Sequence, residues 1–302
     1  MDDGNAYDGL VEADPDARWA FGTGFHDTLA GVDDALPPSV DRAQLATYCL
    51  MLGDDALIMA QRLTQWTTCA PELEEEVALA NIALDLLGQA GPLLARAALA
   101  DPTTVPSLPP GSPVPPQDAL AFFRDPRQFR NVRLTEIENG DFAASTVRLL
   151  VFSTWRLALL QRLVGSCDAV LSAVAAKAVK EVAYHRDYAA RWFVTLAQGT
   201  QESRRRMASG LEAVWPYVQE LFVAHRVELD LAVAGAGVDP AKLRADFDQV
   251  IATVCAAAEL HPPPTASAAA TPGGRDGVHS AAFAELVTEM QSVARAHPCG
   301  RW

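Results

Sequence analysis

The sequence contains few cysteines and no cysteine motif. Its 302 residues include five cysteines, an odd number, and none are spaced as Cys-x-x-Cys. These features exclude a dense disulfide framework and a zinc ribbon. We expect reduced thiols in the core or at the surface. They are Cys49, Cys69, Cys167, Cys255 and Cys299.

Phosphate-binding loops, nucleophile motifs and leader segments are also missing. No Gly-x-Gly-x-x-Gly or Gly-x-x-x-x-Gly-Lys occurs, and Ser, His and Asp show no nucleophile-elbow pattern. No basic segment precedes an apolar one near the start, and no run of about 20 uncharged apolar residues is present. We therefore expect a cytoplasmic protein that does not enter a membrane.

Basic residues are scarce, with 24 Lys and Arg against 38 Asp and Glu, a net charge of −14. Residues 1–40 hold nine acidic residues and one arginine, so this part carries −8 and the rest only −6. The balance argues against a nucleic-acid-binding protein, which needs a basic face. We predict that residues 1–40 form a disordered acidic extension and residues 41–302 a single helical domain.

Half of the residues are apolar, and the long apolar segments have helical rather than alternating spacing. The predicted fold class is therefore all-α. Four long helices are expected at about 41–65, 71–99, 141–164 and 168–198. A proline-rich connection at 101–116 and a short helix at 118–124 separate the two pairs, and further helices are expected at 202–231 (kinked or split at Pro216), 239–260 and 280–296. A ferritin-like bundle has this connectivity, in which a long crossover joins one pair of long helices to a second pair.

Two of these helices carry a thin polar stripe on an otherwise apolar surface. Steps of four residues keep each stripe on one helix face. A buried carboxylate is costly unless it is paired or bound to a metal, so the two stripes must meet a partner. The stripes are Asn81, Asp85 and Gln89 on the second helix and Lys177, Glu181 and His185 on the fourth.

The residues that would hold a di-iron centre are incomplete. Such a centre takes a carboxylate from each of two helices and a Glu-x-x-His pair from each of the other two. Asp85 is followed three residues later by Gly88, and Glu181 and His185 are four apart instead of three. The third helix has no Asp, Glu or His between residues 142 and 161, and its charged residues are Arg148 and Arg156. Complete di-iron coordination is therefore not expected in this chain.

We predict instead a vestigial metal site that has become a buried polar network, with a lysine ammonium in the charge role of the metal. Its members are Asp54, Asp55, Asp85, Lys177, Lys180, Glu181 and His185. A single metal ion held by Asp85, Glu181 and His185 remains an open alternative. A second group, Arg204, Arg205 and Arg206, is a candidate contact for a partner or for CoA phosphates, or simply solvated surface.

Several long stretches resemble one family closely. They are LGDDAL (52–57), APELEEEVALANIALDLLGQA (70–90), FRDPRQFRNVRL (123–134), NGDFA (139–143), AKAVKEVAYH (176–185) and GGRDGVHS (273–280) with the helix after it. In these stretches the chain resembles the C subunits of bacterial phenylacetyl-CoA epoxidases, also called ring-1,2-phenylacetyl-CoA oxygenases. The resemblance covers roughly residues 43–302.

The resemblance implies a non-catalytic structural subunit without a cofactor of its own. In that family the di-iron centre lies in a homologous catalytic subunit, a small subunit bridges the complex, and a reductase with FAD and an iron–sulfur cluster delivers electrons from NADPH. The complex epoxidises the aromatic ring of phenylacetyl-CoA. We expect the long faces of the two similar bundles to pack about an approximate two-fold axis, and a homodimer of the isolated chain stays open. The alternative is a stand-alone ferritin-like oxidase with an atypical metal site, which requires near-stoichiometric iron.

Overall fold

The computed structural model describes residues 29, 31–264 and 272–300. Within these residues every regular element is helical and no strand is present, so the all-α prediction is confirmed. Most of the predicted acidic extension, residues 1–28, lies outside the described residues. The predicted domain boundaries therefore stay a prediction.

Four long helices form the bundle. They are α1 (Arg42–Trp66), α2 (Leu73–Ala100), α4 (Phe142–Leu163) and α5 (Ala169–Ala197). Three of them begin where a side-chain carboxylate can satisfy a free backbone N–H. Asp41, Asp141 and Asp168 accept hydrogen bonds from the amides of Gln44, Ala144 and Leu171, respectively, at 2.9–3.0 Å. These local signals explain why the predicted starts agree with the structure to one residue.

The second long helix begins later than predicted. Its expected first residue was Pro71, but α2 begins at Leu73, after Glu72 as N-cap. Glu72 has extended backbone angles (φ −138°, ψ 156°), so the proline stays outside the helix. Glu74, Glu75 and Glu76 still occupy the first turn, where they face the positive end of the helix dipole.

The two helix pairs differ in burial. α1 pairs mainly with α2, and α4 with α5, while α2 and α5 also meet. α1 and α4 are buried on nearly all sides, whereas α2 and α5 are buried on one face. By length and composition α2 and α4 would each qualify as a membrane-crossing helix. The apolar window of α4 is 94% buried, as in the core helix of a globular bundle, but that of α2 is only 44% buried.

The remaining helices flank this bundle. They are α3 (Pro116–Phe122), α6 (Gln201–Val214), α7 (Arg226–Val233), α8 (Arg244–Ala257) and α9 (Ala281–Ala296). The segment predicted at 202–231 is split, as Pro216 allowed. α6 ends before it, and two 3₁₀ turns, Trp215–Tyr217 and Gln219–Phe222, lead to α7, because proline has no N–H to continue an α-helix.

Candidate functional site

A buried ion pair lies at the middle of α1. The Asp54 carboxylate accepts hydrogen bonds from both terminal nitrogens of Arg124, with Arg124 Nη1 3.0 Å from Asp54 Oδ2. Asp54 Oδ2 also accepts from the backbone amide of Arg130 at 2.8 Å. Both charged side chains are almost completely buried, and the Arg124 guanidinium lies 4.1 Å from the centre of the Phe129 ring. The charge of Asp54 is therefore satisfied from the crossover that precedes α4.

The neighbouring Asp55 has a second arginine. Arg275 donates to both carboxylate oxygens of Asp55, at 3.0 and 2.8 Å, and the Val132 amide donates at 2.8 Å. The same guanidinium donates to the carbonyl oxygens of Met51 (3.0 Å) and Arg130 (2.7 Å). Burial raises the pKa of Asp55, and Arg275 opposes that shift. The pair ties the C-terminal part of the chain to α1.

A third guanidinium, Arg156 of α4, lies inside the bundle. Its Nε donates to Gln89 Oε1 at 3.0 Å and its Nη1 to the Leu52 carbonyl oxygen at 3.3 Å, whereas its Nη2 has no hydrogen-bond partner. Burial lowers the pKa of Arg156 to about 10, and the nearby Asp55 carboxylate opposes the shift. A side chain with pKa about 10 remains a cation at neutral pH. The interior of the bundle therefore carries a fixed positive charge.

A separate polar group joins α2 to α5. His185 Nε2 lies 2.9 Å from Asp85 Oδ2, with the imidazole buried and the carboxylate partly exposed. Gln89 Nε2 donates to Glu181 Oε2 at 3.2 Å, and Lys177 Nζ lies 3.7 Å from Glu181 Oε1. Burial raises the pKa of Glu181, while Gln89 and Lys177 lower it. Gln89 therefore links this group to Arg156.

The structure places six of the seven predicted network residues in two groups, the ion pairs of α1 and the α2–α5 contact, and leaves Lys180 outside both. Asp54 and Asp55 pair with arginines from distant segments. Asp85, Glu181 and His185 meet across the α2–α5 contact. The two lysines correct our expectation of a buried ammonium, because Lys177 and Lys180 are both exposed. Lys180 lies five residues before His185, which is ~140° around an α-helix, so it points away from the bundle.

These residues do not fit a di-iron centre. Among the described residues, no cluster of three or more His, Cys, Asp or Glu side chains is arranged to hold a metal ion. Asp85, Glu181 and His185, the alternative ligands of a single metal ion, therefore do not form such a cluster. Both α1 carboxylates are committed to guanidinium groups, and Arg156 adds a cation where a metal pair would need anionic donors. The donor set of the described residues therefore does not fit a di-iron centre.

Sequence reasoning missed further buried pairs around the bundle. Arg96 Nη2 lies 2.6 Å from Asp168 Oδ2. Glu136 accepts from the Ser280 amide at 2.8 Å and lies 2.5 Å from His279 Nδ1. The signal that could have found the arginine partners of α1 was present, because Arg124 and Arg275 lie in the charged stretches 123–134 and 273–280.

The three consecutive arginines lie on α6. Arg205 and Arg206 are exposed and pair with Glu202, at 2.8 and 2.7 Å, and they lower the pKa of Glu202 to about 2. Arg204 instead donates to backbone carbonyl oxygens at the ends of α5 and α8, including that of Glu259 at 2.6 Å. Only two of the three guanidiniums are therefore available at the surface.

Comparison with known proteins agrees with this architecture. Residues 30–302 match the phenylacetic acid catabolic protein family. Over 260 residues the chain is 38% identical to the C subunit of the 1,2-phenylacetyl-CoA epoxidase of Escherichia coli (strain K12), covering 86% of this chain and 99% of that protein. The resemblance inferred from the sequence is thus confirmed. The chain belongs to the phenylacetic acid catabolic protein family.

Proposed function

We propose that this chain is a non-catalytic subunit of a multicomponent phenylacetyl-CoA ring epoxidase in aerobic phenylacetate catabolism. The observation that carries the proposal is the interior of the bundle. Arg156 supplies a cation there, and the Asp54 and Asp55 carboxylates are held by Arg124 and Arg275. The similarity to the C subunit of the Escherichia coli epoxidase supports membership of such a complex.

In this proposal the chain binds and supports a homologous catalytic subunit that carries the di-iron centre. It has no cofactor of its own. The complex is completed by a small bridging subunit, and a reductase with FAD and an iron–sulfur cluster supplies electrons. The assembly acts in the cytoplasm. Such a bundle suits a supporting role, because buried charge pairs hold segments in one arrangement and are costly to separate.

Co-expression with the catalytic homologue tests the binding part of the proposal. The two chains should co-elute in size-exclusion chromatography, and oxidation of phenylacetyl-CoA with the reductase and NADPH should require both. Independent migration of the two chains would contradict the proposal, as would ring oxidation by this chain and the reductase alone.

Site variants separate a structural from a catalytic role. Asp85→Asn and Glu181→Gln remove the carboxylates nearest the expected ligand positions while keeping side-chain size. If this chain is structural, both variant complexes should keep the wild-type kcat and KM. A large loss of kcat in a complex that still assembles would assign catalysis to this chain.

Metal analysis tests the alternative of a stand-alone oxidase. The purified chain should contain far less than one iron per polypeptide, since its core donors are paired with arginines. Near-stoichiometric iron after anaerobic loading would favour the oxidase.

Charge reversal tests the surface arginines. Arg205→Glu and Arg206→Glu, with Arg204 kept because it holds backbone carbonyls, should weaken the complex or its affinity for CoA if this patch contacts either. Unchanged binding would leave the arginines as solvated surface.

A further inference from the structure

Four buried hydrogen-bond donors at one end of the bundle have no acceptor among the described residues. Two are guanidinium nitrogens, Arg62 Nε on α1 and Arg148 Nε on α4. The other two are the indole nitrogen of Trp66, at the end of α1, and the hydroxyl group of Ser145, near the start of α4. Buried polar atoms almost always have a partner in folded proteins, so a group of unpaired donors needs an explanation. We call these four residues the α1–α4 donor cluster.

The two arginines of the cluster hold the same short turn, which lies just before α4. Arg62 Nη2 donates to the Glu136 carbonyl oxygen at 2.7 Å. Arg148 Nη1 donates to the carbonyl oxygen of the next residue, Ile137. Asn139 also joins the two arginines, because its amide nitrogen donates to the Arg62 carbonyl oxygen at 2.8 Å and its amide oxygen accepts from Arg148 Nη2. Consecutive residues are only about 3.8 Å apart at Cα, so the two guanidinium groups are close neighbours.

The other two donors lie one helical turn from these arginines. Trp66 follows Arg62 by four residues on α1, which keeps both on one helix face. Ser145 precedes Arg148 by three residues on α4, with the same result. The end of α1 and the start of α4 meet at Asn139, so the helices run antiparallel and both steps lead in the same direction along the bundle. The geometry thus places the four donors around one point.

The charges of these two arginines are not compensated like those of the other buried arginines. Arg96, Arg124 and Arg275 each pair with a buried aspartate. Within the described part of the chain, neither Arg62 nor Arg148 forms an ion pair with a carboxylate. Burial, and secondarily the positive charge of Arg62, lower the pKa of Arg148 to about 9, so this side chain is still a cation at neutral pH. Two neighbouring buried cations without an anion are costly.

Carboxylates near the cluster act on Arg62 only at longer range. Burial lowers the pKa of Arg62, and four glutamates oppose that shift. Three of them are exposed, and the buried one, Glu136, directs its carboxylate to His279. No carboxylate is among the groups that shift the pKa of Arg148. The exposed glutamates are Glu138, Glu285 and Glu289.

We propose that the α1–α4 donor cluster binds one small monovalent inorganic anion, of the size of chloride, between Arg62 Nε and Arg148 Nε. Trp66 Nε1 and Ser145 Oγ complete its set of donors. A water molecule accepts two hydrogen bonds at most and leaves both charges uncompensated, whereas a spherical anion accepts from all four donors and offsets the charge. The donor atoms are buried, which favours a small ion over a phosphate ester. The inference goes beyond the proposed function and does not depend on it, because it needs only α1, α4 and the turn between them.

The chloride dependence of thermal unfolding tests the proposal on the purified full chain. Chloride and gluconate are compared at equal ionic strength, because gluconate is too bulky to enter a buried site. The Tm of the wild type should rise with chloride concentration along a saturating curve, since a ligand that binds only the native state stabilises it by mass action. Replacing chloride by gluconate should remove that rise. A Tm that does not depend on chloride would overturn the proposal.

Variants distinguish a specific site from a general salt effect. Arg148→Met should abolish the chloride-dependent rise in Tm. Arg226→Met on α7 is the matched control, because its side chain is 83% exposed, and it should keep the rise. Ser145→Ala and Trp66→Phe each remove one donor with little change in shape, and they keep the test decisive if Arg148→Met does not fold. Each should raise the apparent dissociation constant for chloride by about tenfold, as expected for a lost hydrogen bond to a charged group. The same chloride dependence in all variants would contradict the proposal.

Bromide locates the ion directly. Crystals grown in bromide instead of chloride should give one anomalous-scattering peak between Arg62 Nε and Arg148 Nε, within hydrogen-bond distance of both. Ser145→Ala crystals should give a weaker peak at the same place when bromide is below saturation. Peaks confined to the protein surface, or a water molecule without anomalous signal at the cluster, would show that the donors do not bind an anion.

Discussion

At the scale of single residues, the most consequential feature is that interior carboxylates are paired with guanidinium groups. Asp54 and Asp55 each receive two hydrogen bonds from an arginine and one from a backbone amide. Arginine is suited to this role because its planar fork matches a carboxylate and it stays charged when buried. Removing one member leaves the other as an uncompensated charge in the core.

The change in the free energy of unfolding can be compared between the loss of a buried ion pair and the loss of a surface ion pair. Asp54→Ala should lower the free energy of unfolding by about 3–5 kcal/mol, because Arg124 would remain buried without its anion. Asp246→Ala breaks the exposed pair of Arg162 and Asp246 and should cost about 0–1 kcal/mol. Urea unfolding followed by circular dichroism measures both, and equal costs would contradict the argument.

The cysteines give a second residue-level prediction. Cys69, Cys167 and Cys299 are exposed, whereas Cys49 and Cys255 are buried, and burial raises the pKa of Cys255 to about 11. Because the thiolate is the reactive form, three thiols should react quickly with a disulfide reagent at about pH 8, and all five should react in denaturant. The rate at Cys255 should rise about tenfold per pH unit below its pKa. Rapid labelling of Cys49 or Cys255 in the native protein would contradict the burial.

At the scale of elements, a short 3₁₀ turn, Gly274–Asp276, positions one of the core arginines. This turn sits directly on the loop before α4, and the Gly274 amide donates to Glu220 Oε1 at 2.8 Å. A Cβ added at Gly274 would lie 1.9 Å from the Asn131 carbonyl oxygen. Only glycine therefore lets the turn approach closely enough for Arg275 to reach Asp55.

This close approach predicts a strong effect of one methyl group. Gly274→Ala should destabilise the protein by about 2–4 kcal/mol, because the backbone of the turn or of the loop must move. Gly88→Ala in α2 is the control, since the nearest atom, Lys177 Nζ, would be 3.9 Å away, and it should stabilise by about 0.5–1 kcal/mol through helix propensity. Thermal unfolding of the two variants compares them, and a neutral Gly274→Ala would refute the packing argument.

At the scale of the molecule, the C-terminal segment, residues 272–300, packs against α1 and the crossover between α2 and α4. Arg275 binds Asp55, His279 lies against Glu136, and Gln291 donates to the carbonyl oxygens of Ala121 and Arg124 at 3.1 and 3.0 Å. These contacts join residues from α1, from the crossover and from the end of the chain. The segment is therefore an integral part of the fold and should not unfold on its own.

A double-mutant cycle tests this coupling. Asp55→Asn and Arg275→Met should each destabilise by about 3–5 kcal/mol, and the double variant should cost at least about 1 kcal/mol less than the sum of the two. Circular dichroism and tryptophan fluorescence should report one coincident urea transition for the wild type. Additive costs, or separate transitions by the two probes, would show that the segment and the bundle are independent.

The sequence by itself determined the helices, and it led us to expect an incomplete di-iron donor set. Helix ends follow from local signals, such as Asp41, Asp141 and Asp168 at N-caps, and the missing carboxylate on α4 is visible without knowing any contact. The partners of the core carboxylates were decided only by the tertiary structure. Arg124 and Arg275 lie 70 and 220 residues from their aspartates, and no local periodicity encodes which distant segment folds back onto α1. The lysines near Glu181 in sequence were the expected cations of the buried network. Helix geometry instead directs Lys180 outward, and the buried cations next to the α1 carboxylates are arginines.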